Sequence, residues 1–143
     1  MPLALMTPAG PPRTVAPTSD SATIARLSSG LAGAEQSFAD EAQRIGLGAA
    51  FAKYGSADAA NMGSGATFTF GADAIGRAIG AGTSDTSSPV SWSADRTLVA
   101  SSGDLGVTFG MIRNNADPSR PPAPFVTIGR RASPHDPWRY IAE

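Results

Sequence analysis

From Pro89 to Met111 the chain alternates residue by residue on both sides of one tight turn, and few architectures can absorb that pattern. Val90, Trp92, Ala94, Arg96 and Leu98 share one parity, Leu105, Val107, Phe109 and Met111 share another, and Ser101-Ser102-Gly103-Asp104 separates the two runs. Successive side chains of a strand point to opposite faces, so each run predicts a strand presenting one uniform face. Gly103 supplies the positive φ that hairpin turns need, and Asp104 can hydrogen-bond its own backbone. The runs therefore pair as an antiparallel hairpin. Pro124-Phe125-Val126-Thr127-Ile128 and Trp138-Arg139-Tyr140-Ile141 predict two further strands. Between them, Asn114 to Pro124 is too proline-rich to continue a ladder and makes a long loop, and Ser133 to Pro137 is the last turn.

Upstream the period changes to that of a helix. Ile24, Leu27, Leu31, Ala34, Phe38, Ala42 and Ile45 recur at three- and four-residue steps after the capping segment Thr18-Ser19-Asp20-Ser21. Arg26, Glu35, Gln36, Asp40, Glu41 and Gln43 make up its polar face, and Gly30 and Gly33 leave room for a kink or a late start. Gly46 and Gly48 bracket a break, and Ala49 to Tyr54 predicts a short second helix ended by Gly55. Ala66 to Phe70 alternates as a short strand, and Asp73 to Ile79 makes a small helix.

The first 19 residues carry Pro2, Pro8, Pro11, Pro12 and Pro17, a density that opposes helix and ladder alike. Residues 1–19 are expected to form a disordered Pro/Ala-rich tail, with residues 20–143 as one domain. Met1 to Gly10 also admits a second reading, as a truncated signal peptide, although it lacks a basic leader and a long apolar run. Localisation follows that choice: cytoplasmic with a plain tail, exported otherwise.

Composition excludes several classes. A formal net charge of -1 offers no cationic field for nucleic acid. No apolar run approaches the roughly 20 residues that cross a bilayer. With no cysteine and His135 as the sole histidine, thiol chemistry and multi-histidine metal sites are absent, and no motif implies a cofactor. Gly103-Asp104-Leu105-Gly106 and Gly63-Ser64-Gly65 lack the strand, turn and helix of a phosphate loop.

The order of long helix, short helix, strand, small helix and antiparallel strands resembles that of the NTF2-like superfamily, in its SnoaL-like and DUF4440-type branch. Gly48 to Tyr54, Ala74 to Ile79, Val90-Ser91-Trp92, Ser102 to Gly106, Phe125-Val126-Thr127 and Trp138-Arg139-Tyr140 carry the resemblance, over about residues 35 to 143. It implies an α+β cone, a curved antiparallel sheet wrapped around the long N-terminal helix, with a cavity at its open end. It also implies a homodimer formed through the outer sheet face. Relatives include isomerases, cyclases and dehydratases beside non-catalytic binding modules, so no single activity follows.

Candidate residues are few. Phe51, Tyr54, Met62, Phe68, Trp92, Phe109 and Met111 form the aromatic and thioether set expected around an apolar cavity, where a small apolar molecule would bind. Asp58 or Asp95, with Tyr54 as an oxyanion stabiliser, would serve an alternative in which a proton moves next to a carbonyl. Against that, lone acids are commonly solvated, and by parity Asp95 falls opposite Trp92 and outward. Tyr140 packs its ring in the simpler reading, and His135 lies in a proline-flanked turn without a scaffold. Arg113, Arg120, Arg130 and Arg131 do not form one patch, because adjacent strand residues face opposite ways. A third possibility is a dimerisation module with a filled core.

Overall fold

The computed structural model describes residues 16–63 and 65–143, and the expected tail lies outside the described residues over 1–15. Near its end, the Thr18 N–H donates to the Ser101 carbonyl at 3.0 Å.

Helix α1 (Ser21–Ile45) runs 25 residues without a break. The Asp20 carboxylate accepts the Thr23 N–H at 3.0 Å, satisfying one of the donors that a helix start leaves free. Gly30 and Gly33 do not interrupt the helix, and both sit in open space. Their weak propensity, about 1 kcal/mol each, is offset by tertiary packing of the stripe around them. That stripe buries Leu31, Phe38, Ala39 and Ala42, and also Glu35. The placement of Glu35 on the polar face is therefore corrected. It follows Leu31 by four residues and precedes Phe38 by three, which is the spacing of the apolar side.

Gly46, with φ at +90°, swings the chain into α2 (Leu47–Tyr54). Helix α3 (Ala72–Gly80) packs against α2 at a distance only glycine permits, because a Cβ on Gly48 would stand 2.6 Å from the Gly76 carbonyl oxygen. Six strands follow the order β2-β1-β6-β5-β4-β3 in one sheet. They are β1 (Gly55–Asn61), β2 (Thr69–Phe70), β3 (Val90–Val99), β4 (Leu105–Asn114), β5 (Ala123–Arg130) and β6 (Arg139–Ala142). All neighbours are antiparallel except β1 and β6, which run parallel.

Strand β1 was not expected, since Gly-Ser-Ala-Asp-Ala-Ala-Asn holds no β-branched or aromatic residue. Its small side chains answer a packing need: a Cβ on Gly55 would stand 2.4 Å from the Tyr140 ring. The strand expected over 66–70 shrinks to Thr69–Phe70, paired with Asn61 and Ala60.

The hairpin forms as expected, with Gly103 at φ +76° in its turn, but its faces are not as expected. The β3–β4 register shifts between Ala94 and Arg96, so the parity of β3 changes halfway along. Trp92 is buried while Leu98, beyond the shift, is 47% exposed. In β4 the inward positions are Gly106, Thr108, Gly110 and Ile112, and the bulkier Leu105, Val107, Phe109 and Met111 take the outer face. The cause is α1, which lies over β3 and β4. A Cβ on Gly106 would stand 2.5 Å from a Leu31 methyl, so the helix demands small residues beneath it.

Phe38 stands at the centre of the core. Its ring lies 4.9 Å from Phe51, 5.1 Å from Tyr54, 5.0 Å from Trp92 and 5.7 Å from Tyr140, so one α1 side chain joins α2, β3 and β6. Such pairs add to plain area burial. The architecture is α+β, a long N-terminal helix on a curved six-stranded sheet.

Candidate functional site

Between α2, α3 and the sheet lies a cavity of about 610 Å³. Leu47 and Phe51 of α2 and Ile79 of α3 form its helical wall, and Val90, Trp92, Ile112 and Phe125 form its sheet wall. Asn61 and the exposed Met62 stand at the end of β1. A mostly apolar concavity of this volume is the usual form of a small-molecule site.

Two carboxyl groups lie in or behind this wall. Glu35 is buried behind Trp92; its Oε1 accepts the indole N–H of Trp92 at 2.8 Å and its Oε2 accepts the Thr108 hydroxyl at 2.7 Å. Buried carboxylates need such donors, and here both oxygens have one. Glu143 lines the cavity itself. Its backbone N–H donates to the Ala60 carbonyl at 3.2 Å, and its backbone oxygen accepts from Met62 at 3.0 Å, which fixes it beside β1. The Thr127 hydroxyl donates to Glu143 Oε1 at 3.1 Å. The residue keeps some surface open, but its carboxyl sits deep among protein atoms. Burial, and then the negative charge of Glu35, push that carboxyl up to about 8, with Thr127 opposing the shift. At neutral pH it is mostly the uncharged acid.

The residues singled out from the sequence are divided by the fold. Phe51, Met62 and Trp92 line the cavity. Tyr54 lies behind it, stacked on Phe38 with 16° between the rings. Phe68 is 57% exposed, with its ring 6.1 Å from that of Phe70. Phe109 and Met111 stand on the outer sheet face, since Met111 pairs with the exposed Ser93 and Phe109 with the exposed Arg96. Asp58 faces solvent on β1, where Arg130 binds it at 2.7 Å and 2.9 Å. The Arg130 guanidinium, helped by Ser56, holds its carboxyl below the usual carboxylate range, the reverse of what a general base at neutral pH requires. Asp95 is exposed at the β3 register shift. The Tyr140 hydroxyl donates to the Phe51 carbonyl at 2.6 Å, and burial raises its pKa. Arg131 stacks on Trp138, and His135 is exposed.

Sequence reasoning missed Leu47, Ile79, Ile112, Phe125, Thr127 and Glu143. Ile112 and Phe125 were within reach of it, because each shares the parity of the small inward residues of its strand. Glu143, an acid at the end of an apolar strand, resembles any solvated carboxylate.

Among the described residues no helix is long and apolar enough to cross a membrane. No family model matches the chain, and no curated protein matches it in sequence. Solved structures do resemble it. A DUF3225-family protein of unknown function from Pectobacterium atrosepticum shares 15% identity at a TM-score of 0.57, covering 82% of this chain and 88% of its own. A cystatin-like fold protein from Burkholderia xenovorans shares 18% identity at 0.51, with the same two coverages, 82% and 88%. A designed NTF2-like protein shares 10% at 0.54, covering 86% of this chain and 96% of its own. At such identities the likeness is one of fold alone.

Proposed function

We propose that this chain, whose fold is NTF2-like, binds a small apolar molecule in the cavity of its cone and forms a homodimer through its outer sheet face. Within that fold the proposal favours a SnoaL-like or DUF4440-type domain over residues 20–143, preceded by a tail. The observation that carries the binding reading is the cavity of about 610 Å³ with aliphatic and aromatic walls from both layers. An apolar void of that size left empty forfeits contacts that a ligand of matching shape restores.

The dimer reading rests on the uncovered side of the sheet. Leu98, Leu105, Phe109, Val126 and Ile128 are each 36% to 47% exposed there. The register sets Leu98 beside Val107 and Val107 beside Ile128, with Phe109 beside Val126 in the next row. Contiguous apolar patches of this kind mark interaction surfaces. Proton transfer through Asp58 or Asp95 has no comparable support, since both are exposed and Asp58 is paired.

Native mass spectrometry of freshly purified protein tests both parts at once. A dimer with retained small-molecule mass is the expected spectrum, and a bare monomer that also fails to take up added naphthalene hydrocarbon overturns the proposal.

A further inference from the structure

We infer that the cavity selects an uncharged, mostly apolar molecule bearing one hydrogen-bond-accepting oxygen, such as a ketone or ester, and that the Glu143 carboxyl donates to that oxygen. The inference rests on the binding reading of the same cavity and adds the class of ligand.

Among the described residues Glu143 is the one titratable side chain on the cavity wall. Glu35 is occupied on both oxygens, by Trp92 and Thr108, and stands behind the indole. Tyr140 spends its hydroxyl on the Phe51 carbonyl. Thr127 donates to Glu143 Oε1, and the second Glu143 carboxyl oxygen has no protein partner among the described residues. Asn61 is the other polar side chain on the wall, at the β1 end. A carboxyl that lines an apolar cavity with one bond unmade is completed by a ligand group of the opposite hydrogen-bonding kind.

The charge around it decides which kind. From α1, Glu35 presents a like charge; from β5, Thr127 presents only a hydroxyl; the Ala60 and Met62 contacts from β1 are made by backbone; and Asp58 on β1 faces outward to Arg130. Among the described residues no cationic group pairs with Glu143, so the neutral acid, an O–H donor, is the form that persists at neutral pH. A donor calls for an acceptor on the ligand. An ammonium ligand would instead have to leave water for walls of Leu, Phe, Ile and Trp, which apolar burial opposes.

A matched pair of probes tests this: 2-acetylnaphthalene, which carries a carbonyl, and 2-ethylnaphthalene, which has nearly the same shape and none. Calorimetric titration at about pH 6.5 is expected to show the ketone binding about tenfold tighter, the worth of one net hydrogen bond. At about pH 9.5, above the titration of Glu143 near 8, the preference disappears while hydrocarbon binding changes little. Glu143→Leu abolishes the preference at both pH values. Glu143→Gln, which keeps a donor and cannot ionise, retains it at both. Equal binding of the two probes to wild type at about pH 6.5 overturns the ligand class and leaves the cavity reading standing, as does tighter binding of 2-(aminomethyl)naphthalenium than of the ketone. Failure of both naphthalenes to bind overturns the cavity reading itself. Thermal melts of each variant separate lost recognition from lost folding.

Discussion

The indole N–H of Trp92 donates to Glu35 Oε1 at 2.8 Å, joining β3 to α1 across 57 positions of sequence. Trp92 is at once a wall of the cavity and a partner of the core-facing carboxyl of the long helix. Its ring is held from both sides, since Phe38 meets it edge-on at 5.0 Å. A wall fixed in this way presents a preformed surface to a ligand.

Glu35→Ala leaves the Trp92 indole N–H and the Thr108 hydroxyl without their acceptors in a buried site. Each unsatisfied donor costs about 1–3 kcal/mol, so a loss of about 3 kcal/mol is expected from urea melts. Glu35→Gln keeps an acceptor for Trp92 and costs about 1 kcal/mol. It also removes the charge that disfavours ionised Glu143, so carboxyl-detected NMR should show the Glu143 titration moving to lower pH.

The pH dependence has a definite sign. Glu143 titrates at about 8 in the folded chain against an ordinary value of 4.5, so between these limits the folded state holds a proton that the unfolded state has released. Stability from this group is full below about 4.5 and is lost as pH rises through about 8. Chemical melts at pH values across that window should show stability falling as pH increases, and Glu143→Gln should flatten the slope.

The outer face predicts association. Phe109→Asp with Val126→Asp places two carboxylates side by side in the middle of the apolar patch. Sedimentation velocity should show wild type as a dimer and this variant as a folded monomer with unchanged circular dichroism. A monomeric wild type contradicts the dimer.

Asp58→Asn is expected to do little. The Asp58–Arg130 pair is 44% and 47% exposed on its two side chains, and such pairs contribute about 0–1 kcal/mol. Ligand binding should be unchanged, and the small stability loss should shrink further in high salt.

Much of this architecture was legible because strong local patterns carried it. The α1 stripe from Leu31 to Ala42 and the turn at Gly103 each state their geometry in residue types. Which face of a strand is inside was not legible, because alternation distinguishes two faces without ranking them. In β4 the inward Gly106 is small because Leu31 of α1 occupies the space above it, and Gly110 because Ser93 and the Phe125 ring crowd it, tertiary demands that made the outward Phe109 and Met111 look like core. The β3 register shift after Ala94 likewise leaves no mark in Asp95 or Arg96. Strand β1 escaped because it holds no strong β-former, and at Gly55 closeness to Tyr140 admits only glycine. Glu35 was readable from its place on the apolar stripe, yet charge type outweighed position. Glu143 gained its meaning only when β6 set it beside Thr127 and in the field of Glu35.

Calorimetric titration of 2-ethylnaphthalene into wild type and into Ile112→Trp tests the central claim most directly, because the larger side chain fills the cavity from its sheet wall. One molecule bound per wild-type chain, and none by a folded Ile112→Trp, is the predicted result. No binding to wild type, or binding that survives the filled cavity, would contradict the account.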